Sequence, residues 1–173
     1  MGNFWSINLR PIKLIPSMKS KLTIFFALYL FFSNSNADSN MPYDESADAK
    51  AELVSAMERS KKENVFLLIE FGANYCPDCR QLAKHFKTEK INSWIEKNVI
   101  ALPIDVGMSH EVNKDIAIRY GNPVRSGIPS LVLLNPSGKM VFSTSKGELA
   151  RARDINKEDL LLWLRTNLGT LIK

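Results

Sequence analysis

The chain has 173 residues, a formal charge of +5, two cysteines and two histidines. That length suits one domain with a hydrophobic core of its own. Four of the 23 basic residues (Arg10, Lys13, Lys19 and Lys21) and none of the 18 acids fall in the first 37 positions, so the rest is close to neutral and no basic patch points to nucleic acid.

The first 37 residues read as an export signal. Lys19 and Lys21 precede an apolar run, Leu22–Phe32, and Ser35-Asn36-Ala37 puts small residues where a signal peptidase cuts. The run is shorter than the roughly 20 residues of a spanning helix. Met18 is a possible start, since Met18-Lys19-Ser20-Lys21 makes a charged leader head by itself. If the leader stays uncut it anchors the protein, and only then is a membrane a partner. No cysteine lies near the leader's end, which excludes a lipid-modified N-terminus. Export puts the cysteines where disulfides persist.

Residues 38–46 are polar and read as a flexible lead-in to a single domain, 47–173. Leu53, Ala56, Met57 and Ser60 predict a helix over 47–62. Val65–Phe71 predicts a strand buried on both faces, interrupted only by Glu70. Cys76-Pro77-Asp78-Cys79 follows and opens a helix to about Lys87, with Leu82, Ala83 and Phe86 inward. A second helix, 90–97, turns Ile91, Trp94 and Ile95 inward, and 99–105 is the next strand, with Pro103 marking an edge or bulge. A helix over 111–120 is expected to bury Val112, Ile116 and Ala117. Ser130–Leu134, the turn Asn135–Gly138 and Met140–Phe142 make a hairpin. Residues 145–153 are polar and irregular, with Arg151 and Arg153 facing solvent. Asn156 caps a last helix through Leu168. The order implies an α/β fold: a mixed central sheet with helices on both faces.

Both cysteines lie in one motif. Pro77 suits the first position of a helix, where its missing N–H costs nothing. Cys76 then stands at the helix N-terminus, whose unpaired N–H groups and partial positive charge favour a thiolate, and Cys79 stands one turn in. A purely structural disulfide across so short a loop would constrain the unfolded chain little. A zinc site would need His85 or His110, and neither has a zinc-like spacing from the cysteines, so no metal is expected. His85 reads as an ordinary, partly exposed helix residue. Glu70 is either an exposed strand end or a buried acid beneath the cysteines, able to accept and return a proton.

From about Ala47 to Leu168 the chain resembles the thioredoxin superfamily. Phe71-Gly72-Ala73-Asn74-Tyr75-Cys76-Pro77-Asp78-Cys79 is similar to its Phe-x-Ala-x-aromatic-Cys-x-x-Cys, Gly127-Ile128-Pro129-Ser130-Leu131 to its Gly-Ile-Pro-Thr segment, and Asn135–Lys139 to the turn between its last strands. Within the superfamily it is similar to the exported bacterial members. The resemblance implies a three-layer thioredoxin-like fold, a cis bond before Pro129, and Glu70 as the buried acid. It also implies a periplasmic thiol–disulfide oxidoreductase without a bound cofactor. Its substrates would be protein or peptide disulfides, and a membrane-embedded donor would supply its electrons. Two positions depart from the pattern. Tyr75 replaces the common tryptophan, and Ala101 stands where the family keeps a lysine beside the acid.

On this reading Cys76 attacks the substrate, Cys79 resolves the mixed disulfide and Glu70 assists Cys79. Tyr75, Pro77, Asp78, Ile128 and Pro129 form the substrate surface. A carboxylate at Asp78 disfavours a second negative charge on the sulfur, which stabilises the disulfide and makes the protein a reductant. The competing reading is a binding or chaperone-like module that keeps the fold with an inert disulfide.

Overall fold

A computed structural model describes residues 41–172; the leader read in 1–37 lies outside them. Among the described residues no helix is long and apolar enough to cross a membrane. Five α-helices and four strands are described: α1 (Ala49–Glu63), β1 (Phe66–Gly72), α2 (Pro77–Phe86), α3 (Glu89–Asn98), β2 (Val99–Asp105), α4 (Lys114–Arg119), β3 (Ser130–Leu134), β4 (Met140–Ser143) and α5 (Lys157–Asn167).

The strands form one sheet in the order β2-β1-β3-β4. β1 and β2 are parallel, while β1–β3 and β3–β4 are antiparallel. The central strand β1 is the apolar run, and Pro103 sits on β2 at the sheet edge, where its lost N–H breaks no ladder. Alternation along β1 divides the core in two. Leu67, Ile69 and Phe71 pack with Leu53 of α1 and with Ile116 and Ala117 of α4. Leu68 packs on the other side with Leu82 of α2, Ile91 and Ile95 of α3, and Leu160 and Leu164 of α5. Burying each such leucine or isoleucine contributes about 1.5–3 kcal/mol.

The helix ends follow local chemistry. Asp48 caps α1 by accepting from the N–H groups of Lys50 and Ala51, both at 3.1 Å. Asn64 closes it in the left-handed region at φ 54°. Asn156 caps α5, its side chain accepting from Asp159 N–H at 2.8 Å.

Three readings are corrected. Val112 is 46% exposed and precedes α4, which begins only at Lys114 because Asn113 adopts φ 53°. Residues 145–153 are not simply polar surface: Leu149 and Ala152 are buried in the core and a 3₁₀ turn spans Ala152–Asp154. The described part of the lead-in is fastened to the domain, with Tyr43 only 1% exposed.

Candidate active site

β1 delivers the chain to the motif, and a short loop turns it into α2. Cys76 is the N-cap of α2, in extended backbone, and Pro77 is its first residue. The Cys76 sulfur accepts the Cys79 N–H at 3.3 Å and donates to the Ile128 carbonyl at 3.7 Å. Both cysteines are free thiols. Cys76 keeps 7% exposure and Cys79 none, so an incoming disulfide reaches Cys76 first. The peptide bond between Ile128 and Pro129 is cis, and both residues are buried beside the motif. Tyr75 and Pro77 flank Cys76 at the surface, Tyr75 with 44% exposure.

Glu70 is a buried acid, 8% exposed. Desolvation pushes its carboxyl up to about 7, a rise the hydrogen bond from Tyr43 only partly offsets. Burial foremost, with a hydrogen bond involving Cys76, holds the Cys79 thiol well above the ordinary thiol range. Cys79 therefore needs a base in order to act as a nucleophile, and Glu70 titrates in the right range to be one. Ala101, where the resemblance leads one to look for lysine, is exposed on β2. The partner of Glu70 is instead the Tyr43 hydroxyl, which donates to Oε1 at 2.5 Å.

Asp78, expected on the substrate surface, is buried and turned toward Arg153. Its carboxylate accepts from the backbone N–H of Arg153 at 3.0 Å and from Arg153 Nε at 3.2 Å. Arg153 is exposed, as its solvent-facing reading has it, and it also serves the site: a carboxylate held 8% exposed in the first turn of α2 requires partners, and the turn after Leu149 supplies them. His85 is tied by Nε2 to the Ile155 carbonyl at 3.0 Å, away from the sulfurs.

The sequence reading missed four contributors. Tyr43 was a lone aromatic in a polar stretch. Asn74 holds Tyr43 by its backbone, accepting from its N–H at 3.1 Å and donating to its carbonyl at 2.8 Å. Arg153 gave no local signal. His110 stacks on Tyr75 with centroids 6.4 Å apart, its Nε2 lying 2.7 Å from the Tyr75 hydroxyl. Among the described residues no group of three or more potential ligand side chains gathers as a metal site.

A family model described as thioredoxin-like matches residues 48–136, a stretch that contains the motif, the buried acid and the cis-proline. The chain belongs to the thioredoxin-like family. Thioredoxin-like proteins are thiol–disulfide oxidoreductases, and the two cysteines stand where that chemistry requires them. A solved structure of a disulphide isomerase from Xylella fastidiosa is 36% identical, with a TM-score of 0.72, over 74% of this chain and 97% of that one. The C-terminal domain of DsbD from Neisseria meningitidis, in its reduced form, shares the thioredoxin-like fold at 17% identity and a TM-score of 0.50, covering 68% of this chain and 96% of that one. A protein disulfide-isomerase of Datisca glomerata is 29% identical over 128 residues, 70% of this chain; the match spans only 24% of that relative's length.

Proposed function

We propose that the chain is an exported, periplasmic oxidoreductase that reduces protein disulfides through Cys76 and Cys79. The observation that carries this is the graded placement of the two sulfurs: Cys76 at the helix start with a small residual exposure, Cys79 fully buried one turn deeper and above a buried acid. The Cys76 thiolate attacks a substrate disulfide and forms a mixed disulfide. Cys79, having lost its proton, attacks the Cys76 sulfur, and the substrate leaves as a second thiolate. The substrate gains two electrons and the Cys76–Cys79 pair loses them. The leader in 1–37 is what supports export, and a membrane-embedded donor would restore the dithiol. Tyr75, Pro77 and the Ile128-Pro129 segment border Cys76 and form the substrate groove.

Asp78 supports the reducing direction, since it places a carboxylate in the helix turn that carries both sulfurs. Arg153 compensates part of that charge, which makes the bias smaller than an unpaired carboxylate would give. An isomerase, as the Xylella relative is named, begins from the same reduced pair and the same attack by Cys76. What separates it from a reductase is how quickly Cys79 resolves the mixed disulfide.

The test is the redox potential of the purified protein, equilibrated in glutathione buffers. A value near −270 mV, about that of thioredoxin, supports the reductase. A value near −120 mV, about that of a strong oxidant, refutes the direction. A pair that does not exchange at all refutes the activity and leaves the binding module.

A further inference from the structure

Tyr43 lies outside the redox motif and before the residues matched by the family model, yet it reaches the centre of the site. Its backbone is clamped by the side chain of Asn74, two residues before Cys76. Asn74 also donates to Glu45 at 2.9 Å, so one amide fixes the segment on both sides of Asp44. The ring then runs inward over the end of β1. Gly72 makes the room: a Cβ there would stand 2.1 Å from the Tyr43 hydroxyl oxygen and 3.0 Å from the Cys79 sulfur. The hydroxyl and the sulfur thus crowd the same point above Gly72, and the hydroxyl also holds Glu70 at 2.5 Å.

We propose, resting on the reduction chemistry above, that Tyr43 is the bridge through which Glu70 takes the proton of Cys79. As Cys79 approaches the mixed disulfide, its proton passes to the Tyr43 oxygen while the tyrosine's own proton passes to Glu70 Oε1. The tyrosine ends unchanged, Glu70 ends neutral, and Cys79 ends as the thiolate that forms the Cys79–Cys76 bond and breaks the Cys76–substrate bond. On re-reduction the proton returns by the same route.

The surroundings leave few other candidates. The residues that pair with Glu70 across the sheet, Pro103 of β2 and Leu131 of β3, do not titrate. The ionisable groups that face Glu70 and Tyr43 are each other and Cys79, with Cys76 behind Cys79. Burial, and then the negative charge of Glu70, keep the Tyr43 hydroxyl protonated throughout the working range. Tyr43 is therefore a conduit and not a base in its own right.

The test uses Tyr43→Phe in the full protein, which keeps the ring and removes the hydroxyl. A symmetric aromatic disulfide with a coloured thiol reports the two steps separately. One thiol is released when Cys76 attacks, and the second when Cys79 resolves. The expected result is an unchanged first release and a second release slowed by about 100-fold, the scale of a lost proton-transfer path. The pH profile of the second step should also move. In the wild type it rises with the ionisation of Glu70, near pH 7. In Tyr43→Phe it should rise at higher pH, because the bond that lowers the Glu70 carboxyl is gone. A tyrosine that only holds Glu70 would shift the pH profile alone and leave the second release at high pH as fast as in the wild type, whereas loss of the bridge slows that plateau as well. Gly72→Ala, whose methyl displaces the hydroxyl, should reproduce the slow second step. An unchanged second release in Tyr43→Phe overturns the bridge while leaving the reductase intact. A wild type that releases no first thiol overturns the reductase and the bridge together.

Discussion

Burying Glu70 makes the stability of this protein depend on pH in a direction unlike that of most carboxylates. Its folded-state value of about 7 lies above the 4.5 of a free glutamate. Between those two values the folded protein holds a proton that the unfolded chain has lost, so stability is full below the lower value and falls as pH rises through the higher one. At 1.36 kcal/mol per unit, the loss reaches about 3 kcal/mol. Against a total of about 5–15 kcal/mol for a domain, that is a large fraction. Glu70→Gln isolates it. The amide cannot ionise, yet its carbonyl still accepts from Tyr43, so the variant mimics the protonated wild type. Urea unfolding of both proteins with thiols held reduced, from about pH 4 to about pH 8, should show the variant gaining on the wild type by about 3 kcal/mol across the range. Other titrating groups cancel in the difference, and Cys79, pushed up by burial, stays a thiol throughout. A gap that stays constant with pH would refute the reasoning, because it would mean that Glu70 is solvated in the folded protein.

Three further expectations concern the flanks of the motif. Asp78→His removes the carboxylate from the α2 turn and should raise the redox potential in glutathione buffers; an unchanged or lower potential counts against the charge argument. Arg153→Ala removes the Nε bond to Asp78 and leaves the backbone one. It should lower the potential and cost about 1 kcal/mol in denaturant titration, because the guanidinium is mostly exposed. Leu149→Ala should cost about 2–5 kcal/mol by the same titration, against nearly nothing if residues 145–153 were surface loop, since Leu149 is fully buried among the α5-side core residues.

Periodicity located the elements that bury a face and failed where burial rests on one side chain. β2 was legible to the residue because Val99, Ile100, Leu102 and Ile104 carry an apolar run that Asp105 closes. The helix before Tyr120 was overextended because Val112 fits a helical stripe, while the left-handed Asn113 that breaks the stripe has no periodic signature. The motif, its helix and Glu70 were legible because each is a departure from a pattern: two cysteines in a short loop, and a carboxylate in an apolar strand. Their partners were not. Tyr43 is separated from Glu70 by 27 residues and Arg153 from Asp78 by 75, and no spacing rule joins residues that far apart.

Those two partners have a position in common. The family model matches 48–136; Tyr43 precedes that stretch and Arg153 follows it. Each flank supplies one residue that donates to a buried carboxylate beside the sulfurs, the N-terminal one to Glu70 and the C-terminal one, by two bonds, to Asp78. In the function proposed above, Glu70 sets how readily Cys79 gives up its proton, which is a rate, and Asp78 sets the balance between dithiol and disulfide, which is a potential. The cysteines, Glu70 and the cis-proline therefore lie in the shared stretch, whereas the partners proposed to tune the rate and the potential lie in the segments on either side of it.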